Sequence, residues 1–292
     1  MAMGSSDVRE QRLRLRDGRA VGVVERGDLS GKPVVLLQGT PSSRLLHHPD
    51  DSIARSLAAR VITIDRPGFG LSDFHPGRTL LDWADDVAQV ADLMRIEPFA
   101  VVGFSGGGPY VAACAYRIPQ RLTRAMAVAG AGPVDTPEAT AAMTPLRKVG
   151  MATAARAPWL LRPALWLRFH PGRNPERFFE EFMAGFPACD RAIVAQAEMR
   201  AMLVANYAEA ARQGVRGIAW ELRLFARPWG FRLQDITTEY HLWHGEDDAS
   251  TPIAMARAVS AAIPNCRVRF FPGEGHMLFL SRWREILEVL VS

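Results

Sequence analysis

Short apolar runs alternate along this chain with segments of helical period, and the alternation is broken once, between residues 133 and 233. The runs at 34–37, 61–64, 100–102 and 125–129 are apolar throughout instead of alternating with polar residues. A strand covered on both faces, as in a parallel sheet between two helical layers, reads this way. Helical patterns lie between them: one at 53–59, one at Leu80–Met94 with Trp83, Val87, Val90, Ala91 and Met94 on one face, and one from Gly106 to Arg117 that stops before Pro119. Upstream, Leu13 and Leu15 alternate with Arg12, Arg14 and Arg16, and an Asp17-Gly18 turn leads into a second run at 20–25, which predicts an antiparallel hairpin. After residue 233 the rhythm returns, with strands at 240–244 and 267–271 and helices at 253–263 and Trp283–Val291. The pattern predicts an α/β core from residues 1–132 and 234–292. Residues 133–233, helical, arginine-rich and cut by prolines, form an insertion too long for a loop.

Composition narrows the function classes. The chain has 292 residues, 48% of them hydrophobic, enough for a large core. No apolar run reaches the roughly 18–20 residues of a membrane-spanning helix, so no membrane insertion is expected. The first residues lack a basic stretch followed by an apolar one, so no secretory signal is expected. Cys114, Cys189 and Cys266 make no disulfide framework and no C-x-x-C spacing, which predicts a reduced, cytoplasmic setting without a structural metal. The 35 Lys and Arg against 31 Asp and Glu give a net charge of +4. The arginines are scattered along the sequence, which speaks against a nucleic-acid partner. Arg12, Arg14 and Arg16 alternate as on the solvated face of a strand.

The sharpest motif is Gly103-Phe104-Ser105-Gly106-Gly107, a G-x-S-x-G placed between a buried strand and a helix. A nucleophile elbow needs this context, because the serine sits in a strained turn where neighbouring chain passes too close for side chains at the flanking positions. A serine hydroxyl also needs a base and an orienting acid, which follow it in that fold in the order acid, then histidine. Of seven histidines, His276 alone follows the last strand, in a loop. His47, His48 and His75 precede the serine, His170 lies in the insertion, and His241 and His244 belong to a strand. For the acid, the loop at 245–252 offers Glu246, Asp247 and Asp248, with Asp248 preferred and Asp247 its neighbour; Asp135, after the run at 125–129, is a lesser alternative. An oxyanion hole needs two preset N–H donors. Gly106, directly after the serine, supplies one, and Thr40, in the Gln38-Gly39-Thr40-Pro41 loop after the first buried strand, is the candidate for the other.

Together with Asp65-Arg-Pro-Gly-Phe-Gly-Leu-Ser72, Gly245–Pro252 and Glu274-Gly-His276, these segments resemble the α/β-hydrolase fold family. The resemblance covers nearly all of the chain outside the insertion. It implies a mostly parallel eight-stranded sheet flanked by helices, with an inserted helical cap at 133–233. It also supports Asp248, four residues before Pro252, as the acid. The family commonly carries His where this chain has Gln38, a departure that bears on the loop and not on the triad. A serine at the elbow speaks against the epoxide- and halide-processing members, which carry Asp there.

The insertion is rich in aromatics, expected to wall an apolar pocket over Ser105. Phe104, Trp159, Trp166, Phe182 and Met277 are the candidates for contact with substrate. The expected activity is cleavage of a carboxylic ester or related acyl bond of a small, partly apolar molecule by Ser105, His276 and Asp248, without cofactor or metal. The same residues would serve C–C bond hydrolysis, amide cleavage, acyl transfer or perhydrolysis, and a non-catalytic ligand receptor is the alternative from another class.

Overall fold

The computed structural model describes residues 8–134, 145–169 and 174–292. Asp135 and His170 lie outside the described residues. One eight-stranded sheet organises the molecule, in the order β1-β2-β4-β3-β5-β6-β7-β8. The strands are β1 (Arg9–Arg14), β2 (Ala20–Gly27), β3 (Lys32–Leu37), β4 (Ala59–Ile64), β5 (Phe99–Phe104), β6 (Leu122–Val128), β7 (Tyr240–Gly245) and β8 (Cys266–Phe271). β1 and β2 form the expected hairpin and β2 runs antiparallel to β4; every later pair is parallel. All six residues of β5 and of β7 are buried; β5 therefore reads as an unbroken apolar run, while β7 carries His241 and His244, each with a hydrogen-bond partner.

Helices α1 (Ser52–Ser56), α2 (Leu80–Met94), α3 (Gly108–Arg117), α10 (Ile253–Ala262), α11 (Leu278–Ser281) and α12 (Trp283–Val291) accompany the sheet. α1 is shorter than its pattern, because Ala59 already belongs to β4. α2 begins at a capping box in which Thr79 and Asp82 satisfy each other's backbone N–H groups. Among the described residues, six helices lie between β6 and β7: α4 (Pro145–Arg156), α5 (Arg162–Phe169), α6 (Pro175–Met183), α7 (Ala188–Val194), α8 (Ala197–Ala210) and α9 (Arg216–Phe225). They do not form a separate core. Phe179, Met183, Leu203 and Tyr207 share one apolar cluster with Val102, Phe104 and Met126 of the sheet. Burial of such side chains stabilises by about 1.5–3 kcal/mol each, so α6 and α8 are fastened to the strands that carry the elbow.

Candidate active site

Ser105 stands at the end of β5, in a 3-10 turn (Ser105–Gly107) that leads into α3. Its φ of 54° lies in the left-handed region that side-chain-bearing residues avoid, and such strain persists only where the surroundings impose it. A Cβ on Gly103 would stand 2.6 Å from the Gly107 carbonyl oxygen, and one on Gly107 would stand 2.0 Å from that of Leu37. No side chain fits at either position, so the sequence pays for the tight turn with glycine.

The loop after β3 folds against this turn. A Cβ on Gly106 would lie 2.4 Å from Thr40 Oγ1 and 3.2 Å from Thr40 N, so the two candidate oxyanion donors are neighbours. A buried network fixes the loop. Glu221 of α9 accepts from the Thr40 hydroxyl at 2.6 Å, from the Tyr110 hydroxyl at 2.8 Å and from Arg78 and Arg66. Arg66 also donates to the carbonyls of Gln38 and, at 2.6 Å, of Gly39. Burial pushes the Glu221 carboxyl up, but the two guanidiniums outweigh it and hold it below the ordinary range. Gln38 is buried and donates its side-chain N–H to the Ile64 carbonyl at 2.9 Å, so it ties the loop to β4 at the position where the family commonly has His.

His276 lies in the loop after β8. Its Nδ1 is 2.8 Å from Asp248 Oδ2, and Asp248 also accepts from the Ser250 and Thr251 N–H groups at 2.8 Å and from the Thr251 hydroxyl at 2.7 Å. Burial raises the Asp248 carboxyl, but His276 and the Thr251 bonds prevail and hold it below the usual carboxylate range, so it stays ionised at neutral pH. Asp247 and Glu246 are exposed, which separates them from the buried imidazole. His244 bonds the Thr251 carbonyl at 2.8 Å and stands 3.5 Å from Asp248; burial lowers its pKa. His241 pairs with Glu239.

Ser105, His276, Thr40, Phe104, Phe182 and Met277 line one cavity of about 20 Å³, room for about a single water. The Phe104 ring packs 4.9 Å from the His276 ring and 5.0 Å from that of Phe279. Trp159 and Trp166 do not join them. They are 60% and 47% exposed, because α4, α5 and the turn between them present these rings outward instead of toward the sheet. Neither residue lines the Ser105 cavity.

Three buried polar residues of the inserted helices carried no sequence signal. Asp190 of α7 accepts the backbone N–H groups of His276 at 2.8 Å and Met277 at 2.7 Å. Asn206 of α8 accepts from the Ser42 hydroxyl at 3.0 Å and from Ser43 N at 2.9 Å. Glu221 is the third. Asn206 and Tyr207 also line the cavity, and Asn206 Nδ2 is buried without a hydrogen-bond partner. Isolated polar residues on helices look like ordinary surface positions, and only the tertiary fold shows that these three point inward.

A doubly covered, mostly parallel sheet with a serine elbow after its central strand defines the class. A family model described as alpha/beta hydrolase fold matches residues 32–282, and the chain belongs to that family. It is 26% identical over 278 residues to the putative carbamate hydrolase RutD of Caulobacter vibrioides, an alignment covering 91% of each chain. Among solved structures it is similar to the esterase EaEST from Exiguobacterium antarcticum, with a TM-score of 0.69, 20% identity and coverage of 97% of this chain and 98% of the other. A bromoperoxidase from Bacillus anthracis matches with a TM-score of 0.69, 23% identity and the same coverage. At these identities the solved structures speak for the shared fold.

Proposed function

We propose that the protein is a serine hydrolase that cleaves a carboxylic ester or a related acyl bond. The observation that carries this reading is the 2.8 Å bond from buried Asp248 to His276 Nδ1, with that imidazole lining the same cavity as the strained Ser105. In this mechanism His276 takes the proton of the Ser105 hydroxyl as Ser105 attacks the carbonyl carbon. Asp248 fixes the ring tautomer and stabilises the imidazolium. The N–H groups of Thr40 and Gly106 receive the oxyanion, where preset donors contribute about 3–4 kcal/mol each. His276 then protonates the leaving group, and water releases the acyl group by the same steps.

The inserted helices serve as a cap over residues 133–233, with Phe182 and Tyr207 on the roof of the cavity and Asn206 Nδ2 as a free donor for a polar atom of the substrate. The small cavity admits a substrate only when these side chains shift. The names of similar proteins, an esterase and a putative carbamate hydrolase, fit acyl chemistry at carbon bonded to oxygen or nitrogen. Turnover of p-nitrophenyl esters, carbamates and anilides by the wild type, Ser105→Ala and His276→Ala tests the reading. Each variant is expected to lose about 10⁴-fold or more in kcat while remaining folded. Wild-type rates in either variant would overturn it.

A further inference from the structure

Most arginines of this protein face a carboxylate: Arg12 meets Asp73, Arg117 meets Asp85, and Arg200 meets Glu176 and Glu180. Several basic residues face no carboxylate among the described residues, and four of them meet on the inserted helices. Lys148 and Arg156 of α4, Arg223 of α9 and Arg227 just beyond it line an open cleft of about 740 Å³, and no acidic residue among the described residues lines it. None of the four forms an ion pair among the described residues. Arg223 instead donates to the Ala155 carbonyl at 3.2 Å and lies over the Trp220 ring. Residues 145–169 and 222–232 contain no Asp or Glu at all, so these two segments bring no negative charge of their own to the cleft.

The same stretch carries unusual apolar exposure. Nine large hydrophobic side chains are exposed among the described residues, and six of them lie between 146 and 167. Leu146 is 82% exposed, Leu167 79%, Leu160 63% and Trp159 60%. Single exposed hydrophobics are ordinary, but a concentration of them marks a contact surface. Cations without partners select an anionic partner. Exposed leucine and tryptophan on α4, α5 and the turn between them, which also carry Lys148 and Arg156, select one with an apolar interior under a charged skin, which is the signature of helices that lie in a lipid interface. Nucleic acid would offer the phosphates but nothing for Leu146, Leu160 and Leu167 to enter.

We propose that α4, α5 and the adjoining end of α9 dock on an anionic lipid surface, with headgroup phosphates over the Lys148, Arg156, Arg223 and Arg227 cleft and the exposed leucines and Trp159 in the acyl boundary. The contact is peripheral: no helix among the described residues is long and apolar enough to cross a membrane. It is independent of the acyl-transfer reading, since none of these residues lines the Ser105 cavity.

The test is co-sedimentation of the full chain with vesicles of phosphatidylcholine alone and of phosphatidylcholine with phosphatidylglycerol in equal parts. Binding is expected only to the anionic vesicles, weakening as salt is raised. The pair Arg156→Glu and Arg227→Glu is expected to weaken it by about tenfold or more. The pair Arg55→Glu and Arg284→Glu, exposed on α1 and α12 and equal in net charge, is expected to change it far less. Leu160→Ser with Leu167→Ser is expected to weaken binding at unchanged charge, and circular dichroism checks that each variant is folded. The proposal is overturned by failure to sediment with anionic vesicles, by equal losses in the two charge-reversed pairs, or by leucine variants that bind unchanged while duplex DNA competes at equal phosphate, which would assign the cleft to a soluble polyanion.

Discussion

Asp190, on a helix inserted between β6 and β7, holds the backbone N–H groups of His276 and Met277 with its two carboxylate oxygens, at 2.8 and 2.7 Å. The inserted helices therefore hold the backbone of the loop that carries the candidate base, while Asp248 holds its ring. A Cβ on Gly275 would lie 2.3 Å from the Asp190 carboxylate, so the loop is built to pass close to it. Asp190→Ala leaves two buried N–H groups unpaired, a cost of about 1–3 kcal/mol each. The loss is expected to appear in kcat, by about a hundredfold if the imidazole is displaced by an ångström, with KM changing little. Steady-state kinetics on a soluble ester, beside urea unfolding, separates this from simple destabilisation.

Glu221 anchors the other side of the site. Glu221→Gln leaves Arg66 and Arg78 buried without a counter-charge, which costs about 3–5 kcal/mol. Because Arg66 and Glu221 also hold the Gly39 carbonyl and the Thr40 hydroxyl, the variant is expected to lower both the unfolding midpoint and kcat. Unchanged kcat in a destabilised variant would detach the network from the oxyanion loop.

Much of this was legible in the sequence, and the limit has a physical cause. Apolar runs located the strands from β3 to β6, because a doubly covered sheet leaves an unbroken run. The elbow was legible because close backbone approach forces glycine at 103 and 107. Chain order pointed to His276 and to the loop at 245–252, and the family resemblance to Asp248 within that loop. Gln38 departs from the family pattern yet is bonded to Ile64 across the sheet, which a one-dimensional comparison cannot reveal. Asp190, Asn206 and Glu221 were silent because a polar residue bonded to backbone N–H or to a distant arginine has no spacing rule. Trp159 and Trp166 read as pocket walls because aromatic content alone does not say which way a helix turns, and the structure turns them outward. The unpaired cations read as scattered for the same reason: they come from segments some seventy residues apart in the chain.

The acid imposes a pH dependence on stability. The pKa of Asp248 is lower in the folded protein than in the unfolded chain, so folding favours its ionised form. That contribution is fully present above the unfolded carboxylate value of about 4 and is lost as pH falls through the lower folded value. Asp248→Asn removes the titration. The stability gap between wild type and Asp248→Asn, followed by thermal unfolding from neutral pH downward, is expected to narrow below about pH 4. A gap independent of pH would contradict a carboxylate stabilised in its charged form.

Asn206 Nδ2 has no partner among the described residues although it is buried at the cavity wall. Asn206→Asp keeps an acceptor for the Ser43 N–H and replaces the free donor with charge. It is expected to raise KM for carbonyl substrates by about two- to tenfold, the scale of one hydrogen bond to an uncharged partner. Parallel kinetics on substrates with and without a second polar atom measure this.

The central claim is a covalent acyl-enzyme on Ser105. Reaction with a fluorophosphonate, followed by intact mass and peptide mapping, tests it most directly, because the reagent captures an activated serine whatever the natural substrate is. The predicted result is a single adduct on Ser105, absent in Ser105→Ala and formed far more slowly in His276→Ala. An adduct on another residue, or persistent ester hydrolysis with Ser105 unlabelled, would contradict the account.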